Sequence, residues 1–137
     1  MQNAEGKPYD LSERLLKFTI RLIKLVERIP NTRVGNHIAG QLLRCGTSPG
    51  PNYSEAQSAE SRNDFVHKMR IALKELRETL FWLKVLHCIM AQRLGPDLLW
   101  LINESGELTS IFVTSINTAE KNNRCRNKLR QTAGSAF

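Results

Sequence analysis

The chain has 137 residues, with 20 lysines and arginines against 13 aspartates and glutamates, a formal net charge of +7 and a pI near 9.7. That length is enough for one domain with a four-helix core and excludes a second domain of similar size. The basic excess favours polyanionic partners, nucleic acid or an anionic surface, over basic ones, with a soluble protein carrying a basic tail as the plainer alternative.

Cys45, Cys88 and Cys125 are odd in number and form no Cys-x-x-Cys pair. They support neither a disulfide framework nor a zinc site, and read as small buried or solvent-facing thiols in a reducing compartment. Residues 1–10 are polar with no apolar h-region, so no signal peptide is expected. Charges interrupt every apolar stretch, so no membrane span is expected and the expected location is cytoplasmic.

The first helix is expected to follow Asp10, where Asp10-x-x-Glu13 has the form of a capping box, and to end at Pro30-Asn31. Its apolar residues, Leu15, Leu16, Phe18, Ile20, Leu22, Ile23, Leu25, Val26 and Ile29, cover an arc of roughly 220°, where one packed side needs about 100–140°. Such a helix is central in its bundle or buried from two directions. The strip left over holds Arg14, Lys17, Arg21, Lys24 and Arg28, a basic stripe with no acid inside it.

A second helix is expected from about Val34 to Cys45, with Ile38, Ala39, Leu42 and Leu43 as its apolar side. Pro49, Gly50 and Pro51 then predict a kink or short break, because an interior proline costs about 3 kcal/mol and removes a donor. Helix is expected to resume from about Asn52, with Asn52 as its cap, to Glu60. The third helix is capped by Ser61-x-x-Asp64 and periodic from Phe65 to about Ala91. Phe65, Met69, Ala72, Leu73, Leu76, Leu80, Leu83 and Met90 make one face. Ile71, Trp82, Val85 and Ile89 make a second apolar strip about 120° away.

The block from Gln41 to Leu86, with Asn52-x-x-Glu55-Ala56, Asp64-Phe65 and an amphipathic run carrying Glu75 and Glu78, resembles the bacterial four-helix bundle protein family, also called 23S rRNA intervening-sequence proteins. The resemblance implies a four-helix bundle in which residues 34–60 are usually one long helix, a pattern from which Pro49-Gly50-Pro51 departs. It also implies ring-like homo-oligomers, commonly pentamers. The family name reflects genes found inside rRNA insertions, and a related bundle type is an accessory partner of reverse transcriptases. Both associations place such bundles beside nucleic acid.

Gly95-Pro96 marks a turn and the start of a fourth helix, expected over about Pro96 to Lys121. Leu98, Leu101, Ile102, Leu108, Phe112, Val113, Ile116 and Ala119 form its core face, with Trp100 and Ile111 on an outer side. Residues 122–137 are polar and basic and are expected to be a frayed, flexible tail. The whole reads as an all-α, antiparallel up-down-up-down four-helix bundle over residues 11–121, preceded by an N-terminal tail over 1–10.

No reaction is legible. The chain lacks the Glu-x-x-His repeat of di-iron bundles, a Gly-x-Ser-x-Gly turn, a P-loop and Gly-x-Gly-x-x-Gly. His37, His67 and His87 are far apart in sequence, and His87, near the core face of the third helix, reads as a satisfied core imidazole. No enzyme activity, metal, cofactor or small-molecule substrate is therefore expected. Asn52, Glu55 and Glu75 are expected to be structural. The outer strip of Ile71, Glu78, Trp82, Val85, Ile89, Trp100 and Ile111 is expected to form an oligomer interface.

The expected function rests on charge. Arg14, Lys17, Arg21, Lys24 and Arg28 span about 21 Å of helix and could follow a phosphate backbone. Lys121, Arg124, Arg126, Lys128 and Arg130 form a second cluster with no acid after Glu120. Without a sequence-reading motif, binding to structured RNA or DNA would follow backbone and shape. A ring-shaped protein-interaction scaffold with no nucleic-acid role is the alternative.

Overall fold

The structure, a computed structural model, describes residues 10–135. The expected N-terminal tail therefore lies, except for Asp10, outside the described residues. Those residues form five helical segments: α1 (Leu11–Glu27), α2 (Arg33–Gly46), α3 (Pro49–Gln57), α4 (Arg62–Leu94) and α5 (Pro96–Ser135). The protein is all-α, with no strand among the described residues.

Local chemistry sets the helix starts. The Asp10 carboxylate accepts from the Glu13 N–H at 3.3 Å, the Thr32 hydroxyl from Gly35 N–H at 3.0 Å, and the Ser61 hydroxyl from Asp64 N–H at 3.0 Å. Each satisfies one of the donors that a helix N-terminus leaves without an intrahelical partner. Gly95, at φ 72°, makes the turn between α4 and α5. A side chain with a Cβ rarely adopts that conformation.

The segment around Pro49 corrects one expectation. Helix resumes at Pro49 rather than Asn52, after only Thr47 and Ser48. Pro49 occupies the first helical position, where a missing N–H costs nothing. Pro51 is still within the first turn, whose donors lack intrahelical partners anyway. Asn52 is inside α3 and does not cap it. Its amide donates to the Ser48 carbonyl at 3.0 Å and to the Ser48 hydroxyl at 2.9 Å. A second departure lies in α4, where Met90 takes non-helical backbone angles (φ −152°, ψ 33°).

α1 packs against α2, α3 and α5, and α4 packs against the same three. Between α1 and α5, and between α4 and α5, the contacting residues run in opposite senses. Leu22 faces Gly46 and Thr19 faces Gly50. Arg14 meets Glu104 while Arg28 meets Asp97. Arg44 meets Glu78 while Lys68 meets Glu55. Arg70 meets Glu120 while Asn63 meets Asn123.

The core is one continuous cluster. Leu15, Phe18, Leu22, Leu25 and Val26 come from α1, Ile38 and Leu42 from α2, and Ala56 from α3. Met69, Leu76, Leu83 and Leu86 come from α4, and Leu98, Leu101, Leu108 and Phe112 from α5. Each large side chain taken fully out of water contributes about 1.5–3 kcal/mol before the entropy of ordering it is subtracted. Gly46 of α2 leaves room for the Leu22 side chain of α1, since a Cβ there would lie 2.5 Å from Leu22 Cδ1.

α5 continues to Ser135, well past the end expected at Lys121. Polarity does not end a helix. Lys, Arg and Gln are good helix formers, and the stretch 122–133 contains no proline or glycine.

Candidate nucleic-acid interface

The α1 stripe is a seam between two helices. Arg14 Nη2 pairs with Glu104, and also with Glu107 at 2.8 Å. Arg21 Nη2 reaches Asp97 Oδ1 at 3.2 Å, and Arg28 Nη1 reaches Asp97 Oδ2 at 2.8 Å. Arg28 also donates to the Leu94 carbonyl. Trp100 lies beneath two of the cations, with Arg21 Cζ 3.9 Å and Lys17 Nζ 5.5 Å from its ring centroid. The hydrogen bond to Glu104 is the main cause raising the Arg14 pKa above the ordinary arginine value. The hydrogen bonds from Arg28, then Arg21, hold Asp97 below the usual carboxylate range. Three of the five cations thus spend their charge on α5, whereas Lys17 and Lys24 remain exposed. The available signal was the spacing of seven and three that puts Asp97, Glu104 and Glu107 on one helical face, although which helix that face meets is set by the packing.

The second cluster sits differently. Lys121, Arg124, Arg126, Lys128 and Arg130 are all exposed on distal α5, and every residue from Arg124 to Ala133 is exposed. At 100° per residue the cluster divides into two faces. Arg126 and Arg130 line a cleft of about 960 Å³ between α5 and the α3–α4 junction. Arg124 and Lys128 project about 160° away from them, with Lys121 beside Lys128; Arg124 lines a smaller cleft on that flank with Asn63 and Val66 of α4 and Glu120 and Asn123 of α5. Arg62, Asn63 and Phe65 from α4 and Asn122 and Asn127 from α5 also line the cleft. Phe65 is expected on the core face of the third helix, whereas Arg62, Asn63, Asn122 and Asn127 carry no expectation from the sequence. The available signal was Asn122, Asn123 and Asn127 interleaved with Arg126 and Arg130 on one side of the helix.

The motif residues hold neighbouring helices together. Glu55 pairs with Lys68 of α4 at 2.7 Å. Glu75 and Glu78 share Arg44 of α2, at 3.4 and 2.6 Å. In this structure Glu78 therefore finds its cation within the chain.

The outer apolar residues are unevenly covered. Ile71, Trp82, Val85, Trp100 and Ile111 are half-buried, and Ile89 is 53% exposed. His37 packs edge-on against Trp82 with centroids 5.9 Å apart, and the Trp82 Nε1–H is buried without a hydrogen-bond partner. Phe81, absent from the expected strip, is 59% exposed. On α1, Leu16, Ile20 and Ile23 are exposed along one side, away from the core and the α5 seam. That accounts for the wide apolar arc of α1.

His87 is exposed, not a core imidazole; Leu86 takes the buried position instead. Among the described residues no three His, Cys, Asp or Glu side chains cluster as metal ligands would. Cys45 is buried, and burial pushes its thiol pKa up, the opposite of an activated nucleophile. No helix among the described residues is long and apolar enough to cross a membrane.

A basic, all-helical bundle with motif residues tying α3 and α2 to α4 defines the class. The chain belongs to the 23S rRNA-intervening sequence protein family, whose model matches residues 8–91. The match ends beside the Met90 irregularity, so α5 lies outside it. The chain is also similar to the crystal structure of a protein of unknown function from the S23 ribosomal protein family of Bacteroides thetaiotaomicron VPI-5482. Identity is 33% and the TM-score 0.68, over 78% of this chain and 98% of that one. A comparison with curated proteins gives no match. Neither the family nor the similar structure indicates an enzyme.

Proposed function

We propose that this protein is a non-enzymatic, self-associating up-down-up-down bundle that binds structured RNA or DNA through the basic surface of distal α5. The observation that carries the reading is the division of charge. The α1 arginines are matched by Asp97, Glu104 and Glu107, whereas α5 carries five exposed cations and no acid beyond Glu120. Family membership supports RNA as the first ligand to try. Contacts of Lys and Arg with phosphates would give affinity without sequence reading. The opposed senses of the helix contacts support the up-down topology, and the break at Thr47–Ser48 leaves α2 and α3 as two parts of one side of it.

Self-association rests on apolar residues left in water, chiefly Leu16, Ile20 and Ile23 on α1 and Phe81 and Ile89 on α4. Closed symmetry would cover such strips in every copy, and the family resemblance implies a pentamer. The same exposed strips favour the second reading, a ring-shaped scaffold for another protein.

Anisotropy of a labelled RNA hairpin against the protein at several salt concentrations tests the proposal. Binding through several phosphates makes log K fall with log salt at about 0.7–0.9 per contact. No binding at low salt, or binding indifferent to salt, overturns it in favour of the scaffold.

A further inference from the structure

We propose that the cleft between distal α5 and the start of α4 holds an unpaired nucleotide of the bound RNA, an inference that rests on the reading above. The cleft's volume, about 960 Å³, lies at the upper end of the range of small-ligand sites, about 300–1,000 Å³. Its walls carry the three kinds of group that such a nucleotide needs. Arg62 from α4 and Arg126 and Arg130 from α5 outnumber the single carboxylate of the lining, Glu60, and supply cations for a phosphate.

Carboxamides come next. Asn122 and Asn127 line the same walls, and Asn63 and Asn123 join the two helices through one hydrogen bond at 2.8 Å. A carboxamide offers donors and an acceptor side by side, which suits the edge of a base. Phe65, half-buried at the cleft, supplies a ring surface against which a base can rest.

A paired duplex keeps its Watson–Crick edges paired and its base faces stacked, and cannot offer them to a cleft between two helices. A loop or bulge nucleotide can be splayed out and enter. The division of distal α5 into two faces then gives two functions. Arg124, on the opposite flank of the α4–α5 seam, and Lys128 add phosphate attraction for any RNA. Arg126 and Asn127, at the cleft, discriminate unpaired from paired strands.

The experiment compares anisotropy of a hairpin with an unpaired loop and a fully paired RNA of equal length and charge, each with the full chain. The wild type is expected to prefer the looped RNA by about tenfold, the scale of one stacked and hydrogen-bonded base. Arg126→Ala with Asn127→Ala should abolish the preference. Arg124→Ala with Lys128→Ala should weaken both RNAs by the same factor and keep it. All four side chains are exposed, so neither variant opens the core. Equal binding of the two RNAs by the wild type, or an equal loss for both RNAs in the cleft variant, overturns the cleft site and leaves the phosphate-binding reading standing. Failure of both RNAs to bind at low salt overturns both.

Discussion

Arg21 joins two interactions at the α1–α5 seam: its guanidinium carbon lies 3.9 Å from the centroid of Trp100 while its Nη2 reaches Asp97 at 3.2 Å. Arg28 approaches the other oxygen of the same carboxylate at 2.8 Å. One acid therefore serves two cations of the α1 stripe. The seam fixes how α1 sits on α5 and leaves the stripe less charge to offer a partner.

Asp97 gives a pH dependence with a defined sign. Its pKa is depressed in the folded protein by Arg28 and Arg21, so its stabilising contribution is fully present above the unfolded value, about 3.9. That contribution is lost as pH falls below that value and through the folded one. Thermal unfolding of the wild type and Asp97→Asn, followed by circular dichroism, should differ by a constant amount above about pH 5 and converge below about pH 4. Parallel curves through the acid range would show that Asp97 is not coupled to the seam. The group is exposed to solvent, so the difference should also shrink in high salt.

Two glycines should respond in opposite directions. At Gly46 a Cβ would meet the fully buried Leu22, so Gly46→Val should destabilise by about 1–3 kcal/mol through overpacking. At Gly106 a Cβ would meet nothing within 4 Å. Gly106→Ala should therefore stabilise α5 by up to about 1 kcal/mol from helix propensity alone. Urea unfolding of both variants checks the pair, and a stabilised Gly46→Val would refute the packing of Leu22 against Gly46.

The exposed apolar strip of α1 should control assembly. Changing Leu16, Ile20 and Ile23 together to glutamine should reduce the sedimentation coefficient to that of a monomer while leaving far-ultraviolet ellipticity intact. These side chains are 61%, 44% and 39% exposed and contribute little to the monomer core. An unchanged assembly would move the self-association surface to Phe81 and Ile89 on α4.

Much of this architecture is legible in the residues. Asp10, Ser61 and Pro96 mark three helix starts, because capping oxygens and first-turn prolines act through local backbone geometry. The core faces follow from the 3.6-residue period. Two boundaries are not legible for the same physical reason: they depend on what does not stop a helix. Pro49 and Pro51 fall in the first turn of α3, where they follow the break at Thr47–Ser48 without interrupting the helix they begin. The polar run after Lys121 keeps good helix formers even where no core demands them. The α1 stripe shows a different shortfall. Period identifies a basic face, but the neighbour that face meets is a property of the packing, and the matching acids lie 69 to 93 residues away in sequence. The cleft combines residues from α4 and α5 that only the opposed packing of those helices brings together.

The central claim is that the charge available to a nucleic acid lies on α5 and not on α1. The most direct measurement is the salt dependence of RNA-hairpin anisotropy for two matched double variants, Arg124→Ala/Lys128→Ala and Lys17→Ala/Lys24→Ala. All four side chains are exposed, and each variant removes two positive charges. The α5 variant should lower the slope of log K against log salt by roughly 1.4–1.8, about 0.7–0.9 for each lost contact, while the α1 variant keeps the wild-type slope. A slope that falls for the α1 pair and holds for the α5 pair would contradict the account.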